Sequence, residues 1–143
     1  MRRHILSVMG FLSCLVLTFS GCSKPSNVRK LESALGIPLP KNIDQCMVSI
    51  DRRPDYNYIS LKARFDGDAQ TWREICDRLG LGRSETILPY EKIAPGIAQW
   101  WDVPAKESQT EKASKTDARG ILNALWWNGH IYIEFDGYPP AKP

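Results

Sequence analysis

The chain of 143 residues has the length of a single domain. It contains 19 Lys and Arg against 16 Asp and Glu, a formal net charge of +3, and two of the basic residues, Arg2 and Arg3, stand at its start. Without these two arginines, 17 basic residues nearly balance the 16 acidic ones, so the charge gives no support to a nucleic-acid-binding function.

The first 21 residues predict an export signal. Arg2 and Arg3 form a positively charged start, and the run from Ile5 to Phe19 is almost entirely apolar. A charged start, an apolar run of roughly 7–15 residues and small residues before the cut are the features of a secretory signal peptide. A membrane-spanning helix needs about 20 apolar residues, so we expect this run to be removed rather than retained.

Phe19-Ser20-Gly21-Cys22 resembles the end of a bacterial lipoprotein signal, in which an apolar residue and two small residues precede a cysteine. The resemblance covers only the first 22 residues. It implies cleavage before Cys22, which would then carry a diacylglyceryl group and an N-terminal acyl chain such as palmitate. An ordinary secretory signal with an incidental cysteine is the alternative.

Lipidation would place the protein in the cell envelope with the membrane as a partner. Several acyl chains on one cysteine hold a protein firmly on a bilayer, whereas a single chain holds it only marginally. Ser23 follows the cysteine, which resembles lipoproteins on the periplasmic side of the outer membrane where the host has two membranes.

The mature chain is expected to begin with a lipidated tether, residues 22–26, and to continue as one α+β domain, residues 27–143. We expect an antiparallel sheet of about four strands with helices on one face. A first helix is predicted to be capped by Asn27 and to end at Gly36. Its apolar stripe is Val28, Leu31, Ala34 and Leu35.

Two strands and a second helix are predicted next. Cys46, Val48 and Ile50 alternate as in a strand, and a turn is expected at 52–55. The second strand directs Asn57, Ile59, Leu61, Ala63 and Phe65 toward the core. Asp68 is a candidate N-cap and Gly80 a candidate C-terminal residue for a helix. Its apolar stripe is Trp72, Ile75, Cys76 and Leu79.

Cys46 and Cys76 are the two cysteines that would remain, because Cys14 leaves with the signal and Cys22 is acylated. In an oxidising compartment two remaining cysteines are a candidate disulfide. They are equally well interpreted as two small buried hydrophobes.

From Leu81 onward the signals weaken. Pro89, Pro95 and Gly96 interrupt any regular pattern, and the stretch from Pro104 to Arg119 has no large apolar residue. We expect a solvated polar loop at 104–119.

The C-terminal part predicts a β-hairpin. Asn128-Gly129 between two alternating runs is typical of a type I′ turn, because both central residues need positive φ. A two-residue loop fixes the register and places Trp127 opposite His130. The face toward the core then holds Leu122, Ala124, Trp126, Ile131, Ile133 and Phe135.

The opposite face of the predicted sheet is the candidate binding face. If the earlier strand joins the hairpin, this face carries Tyr56, Tyr58, Lys62, Arg64, Trp127, His130 and Tyr132. Aromatic side chains with a polar tip are common at binding surfaces, so the face is a candidate site for an envelope protein or a glycan. Alternatively, Trp100 and Trp101 fold over it as a second small core, or it is exposed and idle.

The sequence predicts no catalytic residue, no metal site and no cofactor. His130 is the only histidine left after cleavage, and no Cys/His cluster has zinc spacing. We therefore expect a non-catalytic envelope interaction module. The alternative is a structural or accessory envelope lipoprotein without a discrete ligand, and an enzyme is the least favoured interpretation.

Overall fold

The computed structural model describes residues 26–84, 99–103 and 111–141. Two α-helices lie in this part, α1 (Ser26–Leu35) and α2 (Ala69–Leu79). Six strands accompany them: β1 (Asp44–Arg53), β2 (Tyr58–Asp66), β3 (Gly82–Arg83), β4 (Glu111–Asp117), β5 (Gly120–Trp127) and β6 (His130–Gly137). The predicted export signal and the predicted lipidation site, Cys22, lie outside the described residues. Neither of the helices in the described ranges is long and apolar enough to cross a bilayer.

The six strands form one antiparallel sheet in the order β1-β2-β6-β5-β4-β3. The α+β class is therefore confirmed, but the expected number of about four strands is too small. β3 and β4 are the additional strands, at the edge next to β5.

The expected polar loop at 104–119 is wrong for the part that forms β4, while residues 104–110 lie outside the described ranges. β4 pairs with β5 from Glu111↔Trp126 to Asp117↔Gly120, and only Ala113 in it is buried. A strand near a sheet edge is held mainly by backbone hydrogen bonds and needs few apolar side chains. The lack of large apolar residues therefore did not exclude a strand.

α1 has the predicted apolar stripe, and all four of its residues are buried. Gly36 ends the helix with φ +77°, and its N–H donates to the Glu32 carbonyl over 2.8 Å. The expected N-cap role of Asn27 is wrong, because the helix already begins at Ser26. The Asn27 amide instead donates to the Cys46 carbonyl over 2.8 Å and ties α1 to the start of β1.

α2 is capped as predicted at both ends. The Asp68 carboxylate accepts from the Thr71 N–H over 2.8 Å, and Gly80 has the left-handed φ of +64°. Trp72, Ile75 and Leu79 are buried in the same core as the α1 stripe. Both helices therefore cover one face of the sheet, called the core face below; each fully buried large apolar side chain there contributes about 1.5–3 kcal/mol.

The predicted hairpin turn and register are confirmed. Asn128 has φ +50° and Gly129 has φ +77°. Trp127 lies opposite His130, and the pairing continues to Gly120 opposite Gly137. The predicted core-facing set of the hairpin packs into the core, with Trp126 only partly buried.

Candidate functional site

The side of the sheet opposite the helices, called the outer face below, carries most of the candidate binding residues. β2 and β6 are neighbours, with Lys62 opposite Glu134 and Arg64 opposite Tyr132. Their side chains share one face because paired residues on adjacent strands point the same way. The prediction that β2 and the hairpin belong to one sheet is confirmed.

A short segment, residues 99–103, lies over the middle of the outer face and is called the strap below. Trp101 is 0% exposed, and it packs with Val103 against Leu125 and Tyr132 as a second hydrophobic cluster. The Trp101 ring meets the Tyr132 ring edge-on, with centroids 5.6 Å apart. The candidate binding face is therefore covered at its centre, as in the interpretation with a second small core.

Beneath the strap, Lys62 and Glu134 form a buried ion pair. The Lys62 ammonium donates to Oε1 of Glu134 and lies 5.2 Å from the centroid of the Trp101 ring. Burial raises the pKa of the Glu134 carboxyl, and the hydrogen bond from Lys62 acts in the opposite direction. A buried charge is tolerated only when it is paired, so moving β2 away from β6 would leave both charges without a partner. Because Lys62 also contacts Trp101, the pair holds the two strands and the strap in one arrangement.

Two residues of the outer face hold the strap by polar contacts. Arg64 donates from Nη1 to the Trp100 carbonyl over 3.1 Å, and its Nη1 lies 3.4 Å from Oδ1 of Asp102. The Tyr132 hydroxyl donates to the same Asp102 oxygen over 2.6 Å. Burial raises the pKa of Tyr132 well above its usual range, and the bond to Asp102 adds to the effect. The phenol is therefore a hydrogen-bond donor rather than a base.

Both nitrogens of the His130 ring are occupied. Nδ1 lies 2.7 Å from Oδ1 of Asp66, and Nε2 lies 3.0 Å from Nη2 of Arg64. Neither nitrogen is open to a substrate in this arrangement. The polar groups of the outer face thus hold the strap in place. No group of three potential metal ligands occurs among the described residues.

Two buried polar atoms in this cluster have no partner within the described part of the chain. They are the indole N–H of Trp101 and Oε2 of Glu134. One is a donor and the other an acceptor, and both belong to residues that contact Lys62. An unpaired buried polar atom costs about 1–3 kcal/mol, so these two atoms lower the stability of the conformation in which the strap covers the outer face.

One end of the outer face is not covered by the described strap residues. The exposed large apolar side chains of the described chain are Tyr56 (73%), Ile121 (49%) and Tyr138 (49%). Tyr138 meets the half-buried Tyr58 edge-on, with centroids 5.8 Å apart. Ile121 lies opposite Asp136, two residues before Tyr138. We call Tyr56, Tyr58, Ile121 and Tyr138 the open patch.

The candidate binding residues are thus divided between two environments. Lys62 and Tyr132 are buried, Arg64, Trp127 and His130 are half-buried around the strap, and Tyr56 and Tyr58 lie in the open patch. Tyr56 belongs to a 3₁₀ turn before β2, not to the strand as predicted.

Ile121 and Tyr138 were not recognised from the sequence. The hairpin register, extended by one more pair beyond Leu122, places Ile121 on the outer face and was the signal available. The position of Tyr138 depends on the chain leaving β6, where its N–H donates to the Arg119 carbonyl over 2.7 Å.

Cys46 and Cys76 are free thiols, half-buried against the core. Burial raises the pKa of each thiol to about 11, so both are protonated and poorly nucleophilic near neutral pH.

No known protein family, curated protein or solved structure matches this chain.

Proposed function

We propose that the protein is a membrane-anchored bacterial lipoprotein of the cell envelope whose domain is a non-catalytic interaction module. The anchor is supported by the resemblance around Cys22 and by the start of α1 at Ser26. Only three residues separate the two, which allows at most about 14 Å between Cys22 and the helix. The domain would therefore lie directly on its membrane.

The observation that carries the interaction role is the open patch. Tyr58, Ile121 and Tyr138 lie at one end of the sheet, and Tyr56, in the turn before β2, is the most exposed large apolar side chain described. Large apolar side chains exposed near one another at a protein surface are typical of interaction sites. Tyrosine is enriched at protein interfaces and can also stack on sugar rings, so the partner is another envelope protein or a glycan.

The open patch lies at the end of the sheet remote from the anchor. α1 begins beside Cys46, at the end where Asp44 pairs with Asp66. The patch lies at the other end, where Arg53 pairs with Tyr58, about 25–30 Å away along the strands. A partner bound there would not compete with the tether for space.

The first test is an in-cell crosslinking pull-down of the lipidated protein. The variant Tyr56→Ala/Tyr138→Ala removes exposed rings and is expected to keep the fold. Arg73→Ala/Arg83→Ala, which also truncates two exposed side chains, is the matched control. A partner captured by wild type and control but lost in the tyrosine variant supports the proposal, whereas equal capture by all three would contradict it.

The anchor is tested separately by membrane fractionation of wild type and Cys22→Ala. We expect the wild type in the membrane fraction with the mass of an acylated Cys22, and the variant without the acyl groups. An unmodified Cys22 in the wild type would refute the lipoprotein assignment whatever the pull-down shows.

A structural or accessory lipoprotein without a discrete ligand is the second candidate. It is favoured by the burial of Tyr132 and Trp101, because the centre of the candidate binding face serves as a core. Absence of any specific partner in the pull-down, together with confirmed acylation, would select it.

A further inference from the structure

A groove runs between α1 and the edge strand β1, on the side of the sheet that carries the helices. It encloses about 500 Å³ and is lined by Arg29, Lys30 and Ser33 of α1 and by Val48, Ile50 and Arg52 of β1. We call it the basic groove. Among the described strands, β1 pairs only with β2, so the groove lies at an edge of the described sheet.

Within the described part of the chain, the charges that line the groove have one sign. Three of the six described lining side chains are cationic and none of the six is acidic, and Arg29, Lys30 and Arg52 are all exposed. Its floor is formed by the half-buried Val48 and Ile50. Cations around a shallow apolar floor suit an anionic head group whose glycerol part rests on the apolar side chains.

The short tether would also keep the basic groove close to a bilayer. At most about 14 Å separate Cys22 from Ser26, and a further four helical residues add about 6 Å to Lys30. With Cys22 acylated, Arg29 and Lys30 could not move far from the head groups. The groove shares Ser33 and Arg52 with a second cavity toward Pro139 and Pro140, so the two together follow α1 from Arg29 to Ala34.

We infer that the basic groove binds the anionic phospholipid head groups of the membrane to which the protein is anchored. The contact lays α1 and the β1 edge along the bilayer, so that the domain has a defined orientation rather than swinging on its tether. The outer face, which carries Tyr58 and Ile121 of the open patch, points away from the helices and stays accessible in that orientation. The inference rests on the anchor proposed above.

The test uses the mature chain, residues 22–143, with Cys22→Ser, so that no acyl chain contributes to binding. This chain contains every described helix and strand. It is mixed with vesicles of phosphatidylcholine alone or with about 25% phosphatidylglycerol, and binding is measured by co-sedimentation. We expect binding only to the anionic vesicles, and a decrease as salt shortens the screening length to about 3–8 Å.

Lys30→Gln/Arg52→Gln is the decisive variant. Each basic residue near an anionic surface strengthens binding about fivefold, so the double variant should bind about 30-fold more weakly. Arg73→Gln/Arg83→Gln changes the net charge equally on exposed side chains away from the groove and should lose less than about fivefold. The single variants Lys30→Gln and Arg52→Gln, each about fivefold weaker, replace the double variant if it folds poorly.

Three outcomes would overturn the inference. They are equal affinity of the groove variant and its control, equal binding to neutral and anionic vesicles, or no binding to either. A hexaglutamate peptide that binds through Lys30 and Arg52 without vesicle binding would assign the groove to an acidic peptide instead. Because the chain tested is not acylated, failure here is distinct from failure of Cys22 to become acylated in cells.

Discussion

Arg64 donates a hydrogen bond from Nη2 to Nε2 of His130 over 3.0 Å. A guanidinium has donors only, so Nε2 must be the unprotonated ring nitrogen. The proton then lies on Nδ1, which donates to Oδ1 of Asp66 over 2.7 Å. The neutral imidazole therefore supplies the acceptor that positions Arg64, whose Nη1 donates to the Trp100 carbonyl of the strap.

The strap is expected to loosen in His130→Phe. The groups facing the ring are Asp66, Arg64 and the Tyr132 ring, which lies edge-on with its centroid at 6.4 Å. A phenyl ring has no acceptor for Arg64. In this variant the ¹⁹F resonance of fluorotryptophan at Trp101 should move toward the exposed position.

His130→Gln is the control for this substitution. A glutamine amide can donate to Asp66 and accept from Arg64. The Trp101 resonance of that variant should stay at its wild-type position. An equal movement in His130→Phe and His130→Gln would show that His130 does not control the strap.

Lys62→Met should destabilise the fold strongly. It leaves the Glu134 carboxylate buried without its cation, and breaking a buried pair from one side costs about 3–5 kcal/mol. Replacing both partners with apolar residues, Lys62→Met/Glu134→Leu, should restore most of that loss, because no unpaired charge remains. Urea denaturation followed by circular dichroism measures both free energies of unfolding.

The loss in Lys62→Met should shrink on acidification. Burial raises the pKa of Glu134 and Lys62 lowers it, so without Lys62 the pKa of this carboxyl in the folded variant lies above that in the folded wild type. A carboxyl whose pKa is higher in the folded state than in the unfolded state stabilises the fold at low pH. This contribution disappears as the pH rises through the pKa of the folded state. The free-energy gap between wild type and variant should therefore be smaller near pH 4 than near pH 7, and a constant gap would argue against an unpaired carboxylate as its cause.

The elements that could be predicted from the sequence are those with local signals. Asn128-Gly129 fixes the hairpin register, and the β2 alternation sets which side chains face the core. Asp68 and Gly80 mark both ends of α2. In each case the residues that determine the geometry lie within a few positions of the element itself.

The features that could not be predicted depend on contacts between distant residues. The sequence of β4 shows no alternation of apolar and polar residues. The segment forms a strand because its backbone pairs with that of β5. The strap has a single large buried anchor, Trp101, whose partners Lys62 and Tyr132 are 39 and 31 residues away along the chain. From the sequence, a covered binding face was therefore one of several alternatives. The structure shows that Trp101 covers it.

Trp101→Ala should open the outer face at a large cost in stability. Removing a fully buried tryptophan costs about 3–5 kcal/mol, and Lys62 and Tyr132 would lose the ring that covers them. Trp101→Phe should cost less than half as much, because it keeps an aromatic ring and removes an indole N–H that has no partner among the described residues. Similar losses in the two variants would indicate that the indole N–H has a partner.

The two core thiols should make the fold less stable in alkaline solution. Burial raises the pKa of Cys46 and Cys76 from 9.0 to about 11, so the unfolded chain loses these protons first. Their contribution to the free energy of unfolding is fully present below pH 9.0 and disappears as the pH rises through about 11.

The measurement compares urea denaturation of the wild type and Cys46→Ala/Cys76→Ala at about pH 8 and about pH 10. Burial also raises the pKa of Tyr58 and Tyr132, which remain in both proteins, so only the difference between the two pH dependences belongs to the thiols. We expect the wild type to lose more stability than the variant between these values. Equal losses, or the absence of two thiols that react with a disulfide reagent after unfolding, would show that Cys46 and Cys76 are not buried free thiols in the protein.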